Sequence, residues 1–112
     1  MSEIEYEILG KEMFGNYKTP VYKVYEKPSF YKIIISRGEK PSSGYGIDIL
    51  KIIQKKEKVI IYIRFINPED EFVNQIFTYP LIKLKVAKSN LEFYDEYYFI
   101  FKDEEGKILK KI

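Results

Sequence analysis

The chain contains neither cysteine nor histidine, and it has only six glycines and five prolines among 112 residues. Without cysteine no disulfide framework can hold the fold, so apolar burial must supply its stability. The two absences together remove the usual general base near neutral pH, the thiolate nucleophile and most zinc sites. Neither a metal nor any other cofactor is expected. No stretch approaches the roughly 18 apolar residues of a membrane span, and the opening MSEIEYEILG is acidic and alternating, unlike a signal peptide. A block of positive charge is also missing. The formal charge is only +2, and the pI near 8.6 comes from interspersed lysines. Nucleic acid binding is therefore not expected, because a phosphate footprint needs cations clustered on one face.

What the chain does have is apolar and aromatic surface: 46% hydrophobic residues, with eleven Tyr and eight Phe. Its length suits one domain with one core, here residues 1–112. The many isoleucines and aromatics favour half-buried pleated surfaces over helices. Enrichment in Lys, Glu and Ile resembles the composition of thermophile proteins, although A+T-rich coding produces the same bias. No internal repeat, linker or low-complexity tract interrupts the chain.

Period-two alternation recurs and helical period is scarce. Ile4, Tyr6 and Ile8 alternate with Glu3, Glu5 and Glu7, which predicts a strand with one face in water. Residues 13–20, with Gly15, Asn16, Thr19 and Pro20, predict a loop. Short strands follow over residues 21–25, 30–36 and 47–54. A charged turn at residues 55–58 leads into VIIYIRFI at residues 59–66, which is apolar on both faces and therefore central. The following NPEDEFVNQIF offers a local helix start, with Asn67 as cap and Pro68 in the first turn, but the all-strand context favours a loop. Ile82, Leu84 and Val86 alternate with Lys83 and Lys85, and Pro80, lacking an amide donor, belongs at a strand start or an edge. Residues 97–102 and 107–112 pair as a hairpin whose turn uses Gly106. About seven or eight strands with turns every eight to twelve residues predict an all-β fold, an antiparallel immunoglobulin-like sandwich or a small barrel.

The feature with most functional content is the polar loop at residues 38–46, set between two apolar strands. Glycines stand at its tight points, Pro41 fixes one φ, Ser42 and Ser43 offer hydroxyls, and Tyr45 is its single aromatic. Pre-set backbone angles lower the ordering cost of binding, so such a loop suits contact with another protein. Enzymatic use is weaker. A Ser42/Lys40 pair is imaginable, but serines in a glycine-flanked turn ordinarily bond their own backbone. Glu69, Asp70 and Glu71 lack the spaced oxygen donors of a calcium loop and are read as a solvated acidic segment. SRGEKPSSGYG lacks both the spacing and the following helix of a phosphate cradle. The aromatic clusters at residues 93–101 and 17–31 are read mainly as core and cross-strand pairs, with the surplus tyrosines left for interfaces. A sugar or single-strand stacking platform is a lesser reading.

The segment IIISRGEKPSSGYGIDI, then a central strand, an NPEDE loop and FTYPLIKLKV, resembles the C-terminal domain family of the protease complex subunit PrcB. The likeness covers residues 30–87, with Gly38, Glu39, Lys40, Pro41, Ser42, Ser43, Gly44 and Tyr45 as the loop and Thr78, Tyr79 and Pro80 as the later motif. Ser43 stands where that family more often has glycine. Over about six residues, KPSSGY is also similar to a loop of chagasin-type protease inhibitors, whose other loop motifs are missing here. The resemblance implies association with a subtilisin-like serine protease, in a secreted or surface complex, and implies no catalysis. A papain-like cysteine protease is the lesser alternative. The expected function is a non-enzymatic protease-binding domain, an inhibitor or regulator, with a structural or adhesive scaffold module as the runner-up. The expected contact residues are Lys40, Pro41, Ser42, Ser43, Gly44 and Tyr45, flanked by Glu71, Phe72, Tyr79 and Pro80. A bare strand edge would also permit homodimerisation.

Overall fold

Alternating isoleucine, leucine and valine organise the chain into strands that each have one apolar face to hide, and two sheets hide them against each other. The computed structural model describes residues 1–69 and 74–112. Asp70, Glu71 and Phe72, part of the acidic segment and its flank, lie outside the described residues. The strands are β1 (Ser2–Glu3), β2 (Glu7–Glu12), β3 (Val21–Glu26), β4 (Phe30–Ser36), β5 (Gly46–Lys55), β6 (Lys58–Ile66), β7 (Leu81–Ala87), β8 (Tyr98–Asp103) and β9 (Ile108–Lys111). A short 3-10 turn, Lys88–Asn90, follows β7. One sheet runs β1-β5-β6-β8-β9 and the other β2-β7-β4-β3, giving an all-β, sandwich-like fold that does not close into a barrel.

The doubly apolar β6 lies in the middle of its sheet, between β5 and β8. Its inward residues Val59, Ile61 and Ile63 are fully buried, as are Ile33 and Ile35 of β4 and Ile82, Leu84 and Val86 of β7. Each such side chain contributes about 1.5–3 kcal/mol by leaving water. Aromatic pairs stitch the layers across the core: Tyr22 of β3 lies 5.0 Å from Phe101 of β8, and Tyr31 of β4 lies 5.0 Å from Phe99 of β8. At the surface Asp48 of β5 accepts from both Lys11 of β2 and Arg64 of β6, a further tie between the sheets.

Two details depart from the expected pattern. The alternating start is not one strand. Ile4 is buried and donates its amide to the Ile52 carbonyl (2.8 Å), after which the chain crosses to the other sheet, where Glu7 opposes Lys85. Ile8 consequently stands exposed at a sheet edge, and the strand count rises to nine among the described residues. The second departure is that β6 and β8 pair in parallel, while the other strand pairs are antiparallel. Pro80 immediately precedes β7, an interior strand, so its missing amide falls at a strand start.

Candidate functional site

The loop after β4 is fixed at nearly every residue. Gly38 takes φ +78°, and a Cβ there would meet the backbone of Lys18, Thr19 and Pro20 at 2.8–2.9 Å, so only glycine fits without displacing that segment. Its amide donates to the buried Ser36 Oγ (3.1 Å), and the Glu39 amide donates to the Lys18 carbonyl (3.0 Å). Lys40 and Thr78 exchange two backbone hydrogen bonds of 2.8 Å each. The fully buried Thr78 adds a third tie, its Oγ1 donating to the Ser42 carbonyl at 2.7 Å. Ser43 donates its amide to the Asn74 carbonyl (3.1 Å). Gly44 is pressed on Pro68 so closely that a Cβ would meet the proline Cβ at 2.4 Å.

Arg37 is the hub behind this loop. Its guanidinium donates to the carbonyls of Gly46 (3.2 Å) and Ile66 (2.7 Å) and to Asn67 Oδ1 (2.8 Å). The same group lies 5.3 Å from the Tyr45 ring centre and 4.7 Å from that of Phe65. Partial burial pushes its pKa down, opposed by the neighbouring Tyr45 and Tyr22, and a guanidinium is so weak an acid that it stays charged. Lys40 places its ammonium 5.6 Å from the same Tyr45 ring. Tyr79 donates its hydroxyl to Glu39 Oε1 at 2.7 Å, and that hydrogen bond holds its phenol above the usual tyrosine range.

The expected contact residues therefore converge, but not on equal terms. Pro41 is exposed, Lys40, Ser43, Gly44, Tyr45 and Tyr79 are half-buried, and Ser42 and Pro80 are buried. Instead of standing free, the run from Pro41 to Tyr45 lies down against residues 74–80. Ser42 Oγ accepts from the Gly44 amide at 3.4 Å, a turn role, while the Lys40 ammonium is over Tyr45. Glu71 and Phe72 are outside the described residues. Four exposed apolar side chains that were not among the expected contacts lie in the segments bonded to the loop or to Tyr79: Met13, Phe14 (62% exposed), Ile76 and Phe77 (63% exposed). Phe14 bridges to Tyr79, and Phe77 precedes the Thr78 that clamps Lys40. Their one sequence signal is position, next to segments that carry no alternating partner pattern.

The family model described as PrcB C-terminal matches residues 32–87, from within β4 through the loop to the end of β7. An uncharacterized protein of Methanocaldococcus jannaschii, MJ1373, is 36% identical over 86 residues, which is 77% of this chain and 52% of that protein. The chain thus spans about half the length of that relative. No solved structure gives a significant match.

Proposed function

The chain belongs to the PrcB C-terminal family, an accessory domain type with a role linked to a protease complex, and from that premise we propose that it binds a protease through the clamped loop and its apolar border. The observation that carries this reading is the hold on the loop by Thr78 and Arg37, with Pro41 of the loop and Phe14, Ile76 and Phe77 of the adjoining segments left in solvent. A surface already ordered loses little conformational freedom on docking. Exposed aromatic and aliphatic groups beside it provide the apolar area that the centre of an interface requires. In this arrangement Ser42 and Pro80 hold the loop and leave partner contact to the exposed residues. A subtilisin-like serine protease is the preferred partner and a papain-like enzyme the lesser one, with the domain acting as inhibitor or regulator.

The test is to add the purified chain to representative subtilisin-like and papain-like proteases and to follow co-elution, turnover of a peptide substrate, and survival of the domain. Co-elution with slowed turnover supports an inhibitor. Co-elution with unchanged turnover assigns the domain to scaffolding within a protease complex. Failure to associate with either class overturns the reading.

A further inference from the structure

The opposite pole of the sandwich carries a cleft with different chemistry. Tyr31 is the second residue of β4 and Arg37 follows its end, so about 20 Å of strand separates this cleft from the loop. Tyr31, Phe93, Tyr94 and Tyr97 wall a space of about 190 Å³, rimmed by Glu26 and Asp95. An adjoining space of about 350 Å³ shares Tyr31 and Tyr97 and brings in Glu96. The rings of Tyr31 and Tyr97 meet at 76° with centres 5.9 Å apart, and those of Tyr94 and Tyr97 at 79° and 6.4 Å. Three tyrosines at successive right angles form a corner.

The corner is fixed in place by hydrogen bonds. Gln54, buried in β5, donates its amide to the Glu92 carbonyl (3.0 Å) and accepts from the Glu92 amide (2.8 Å), which anchors the residue at the base of the loop. Tyr97 donates its hydroxyl to the same Glu92 carbonyl (2.8 Å) and accepts from the Tyr94 amide (3.2 Å). Phe93 projects 85% exposed at the mouth. This is an ordered aromatic surface with an uncovered ring beside it.

The chain itself shows what such a surface attracts. Lys88 places its ammonium 5.3 Å from the centre of the Tyr31 ring while paired to Glu26 at 2.7 Å. Among the described residues, Lys88 is the one side-chain cation lining the two spaces, against the side-chain carboxylates of Glu26, Asp95 and Glu96. Glu57 lies farther along the same side, beside Tyr94. Two carboxylates that line the same spaces as the tyrosines thus remain after Lys88 and Glu26 have neutralised each other. Aromatic faces attract cations through the ring quadrupole, and quaternary ammonium groups are bound in aromatic cages for that reason.

We propose that this cleft binds an organic cation, an alkylammonium or guanidinium group, on Tyr94 and Tyr97 with Asp95 and Glu96 as its counter-charges. The same chemistry is offered by a free quaternary ammonium compound and by the lysine or arginine side chain of a partner protein. Backbone amide resonances of the full chain, followed during titration, test it. The probes are choline, its uncharged tert-butyl isostere, and the blocked amides of lysine and arginine. At least one cation is expected to give saturable shifts confined to residues 88–99 and Glu26, and the isostere none. Tighter binding of choline points to a small free ligand; tighter binding of a blocked amino acid points to a partner's side chain. Asp95→Asn and Glu96→Gln should each weaken binding about fivefold, as loss of one screened charge at contact distance predicts. Lys88→Met, which frees Tyr31 and Glu26, should strengthen it. Absence of saturable shifts with every cation, equal shifts with the isostere, or indifference to both carboxylate substitutions would overturn the proposal.

Discussion

Replacing Thr78 by valine isolates the clamp on the loop, because the two side chains share a shape and differ by a hydroxyl. Thr78 is fully buried, and its Oγ1 donates to the Ser42 carbonyl at 2.7 Å, while its backbone exchanges two bonds with Lys40. Valine keeps the backbone exchange and strands the Ser42 carbonyl without its donor. An unmet buried acceptor costs about 1–3 kcal/mol, and the added apolar methyl returns part of that, so a net loss of about 1–2 kcal/mol follows. For a domain of about 100 residues each kcal/mol moves Tm by about 4–8 °C, which puts the drop at about 4–16 °C. The loosened loop must also be ordered on docking, at about 0.5–1.5 kcal/mol per side chain, so protease affinity should fall about threefold to tenfold. Thermal unfolding by circular dichroism and a protease titration read the two effects. Thr78→Ser is the control, since it keeps the donor and gives up only a methyl. A valine variant with unchanged Tm, or a serine variant that binds worse than valine, would refute the assigned role of the hydroxyl.

Gly38→Ala should destabilise by about 1–3 kcal/mol in denaturant unfolding, since φ +78° and backbone atoms within 2.9 Å leave no room for a methyl; an unchanged midpoint would contradict the assigned strain. Phe14→Ser and Phe77→Ser should lower protease affinity about tenfold or more while leaving Tm within a few degrees, because both rings are exposed. Equal affinity in both variants would remove the apolar border from the interface. Asp48 has its carboxyl pKa held down, first by its hydrogen bond to Lys11 and then by that to Arg64. A folded-state pKa below the unfolded one means that the stabilisation is complete above about pH 4 and is lost as pH falls through the folded value. Solvent access and salt screening limit it to a few tenths of a kcal/mol. Asp48→Asn should therefore flatten the acid limb of the stability profile at low salt, and an unchanged limb would show that the pair contributes nothing.

Much of the fold was legible because burial writes a period of two into the chain. Ile82, Leu84 and Val86 between lysines marked β7, and apolar residues on both sides of β6 marked it as central. Alternation reports which face is wet, however, and not which sheet receives the strand, which is why Ile4, Tyr6 and Ile8 read as one strand when the chain changes sheets between them. The loop was visible from its glycines, its proline and its likeness to PrcB-type sequences. What braces it was not. Arg37 and Thr78 act on carbonyls of Gly46, Ile66 and Ser42, and a carbonyl is available from every residue, so no side-chain pattern announces the contact. The same holds for Gln54 and its grip on the Glu92 backbone. Exposure of Phe14 and Phe77 was hidden for a related reason: an aromatic letter is the same whether its ring enters the core or stays in water.

The parallel register between β6 and β8 also bears on how the molecule is made. On a ribosome, β5 and β6 can close as a hairpin early, yet the other side of β6 has no neighbour until Tyr98 has been synthesised and the intervening chain has laid β7 into the second sheet. During that interval an isoleucine-rich strand offers a bare rim of amides and carbonyls to any similar chain nearby. Crowded translation is thus the stage at which this protein is most prone to stick to its own copies, and the final hairpin is what ends that exposure.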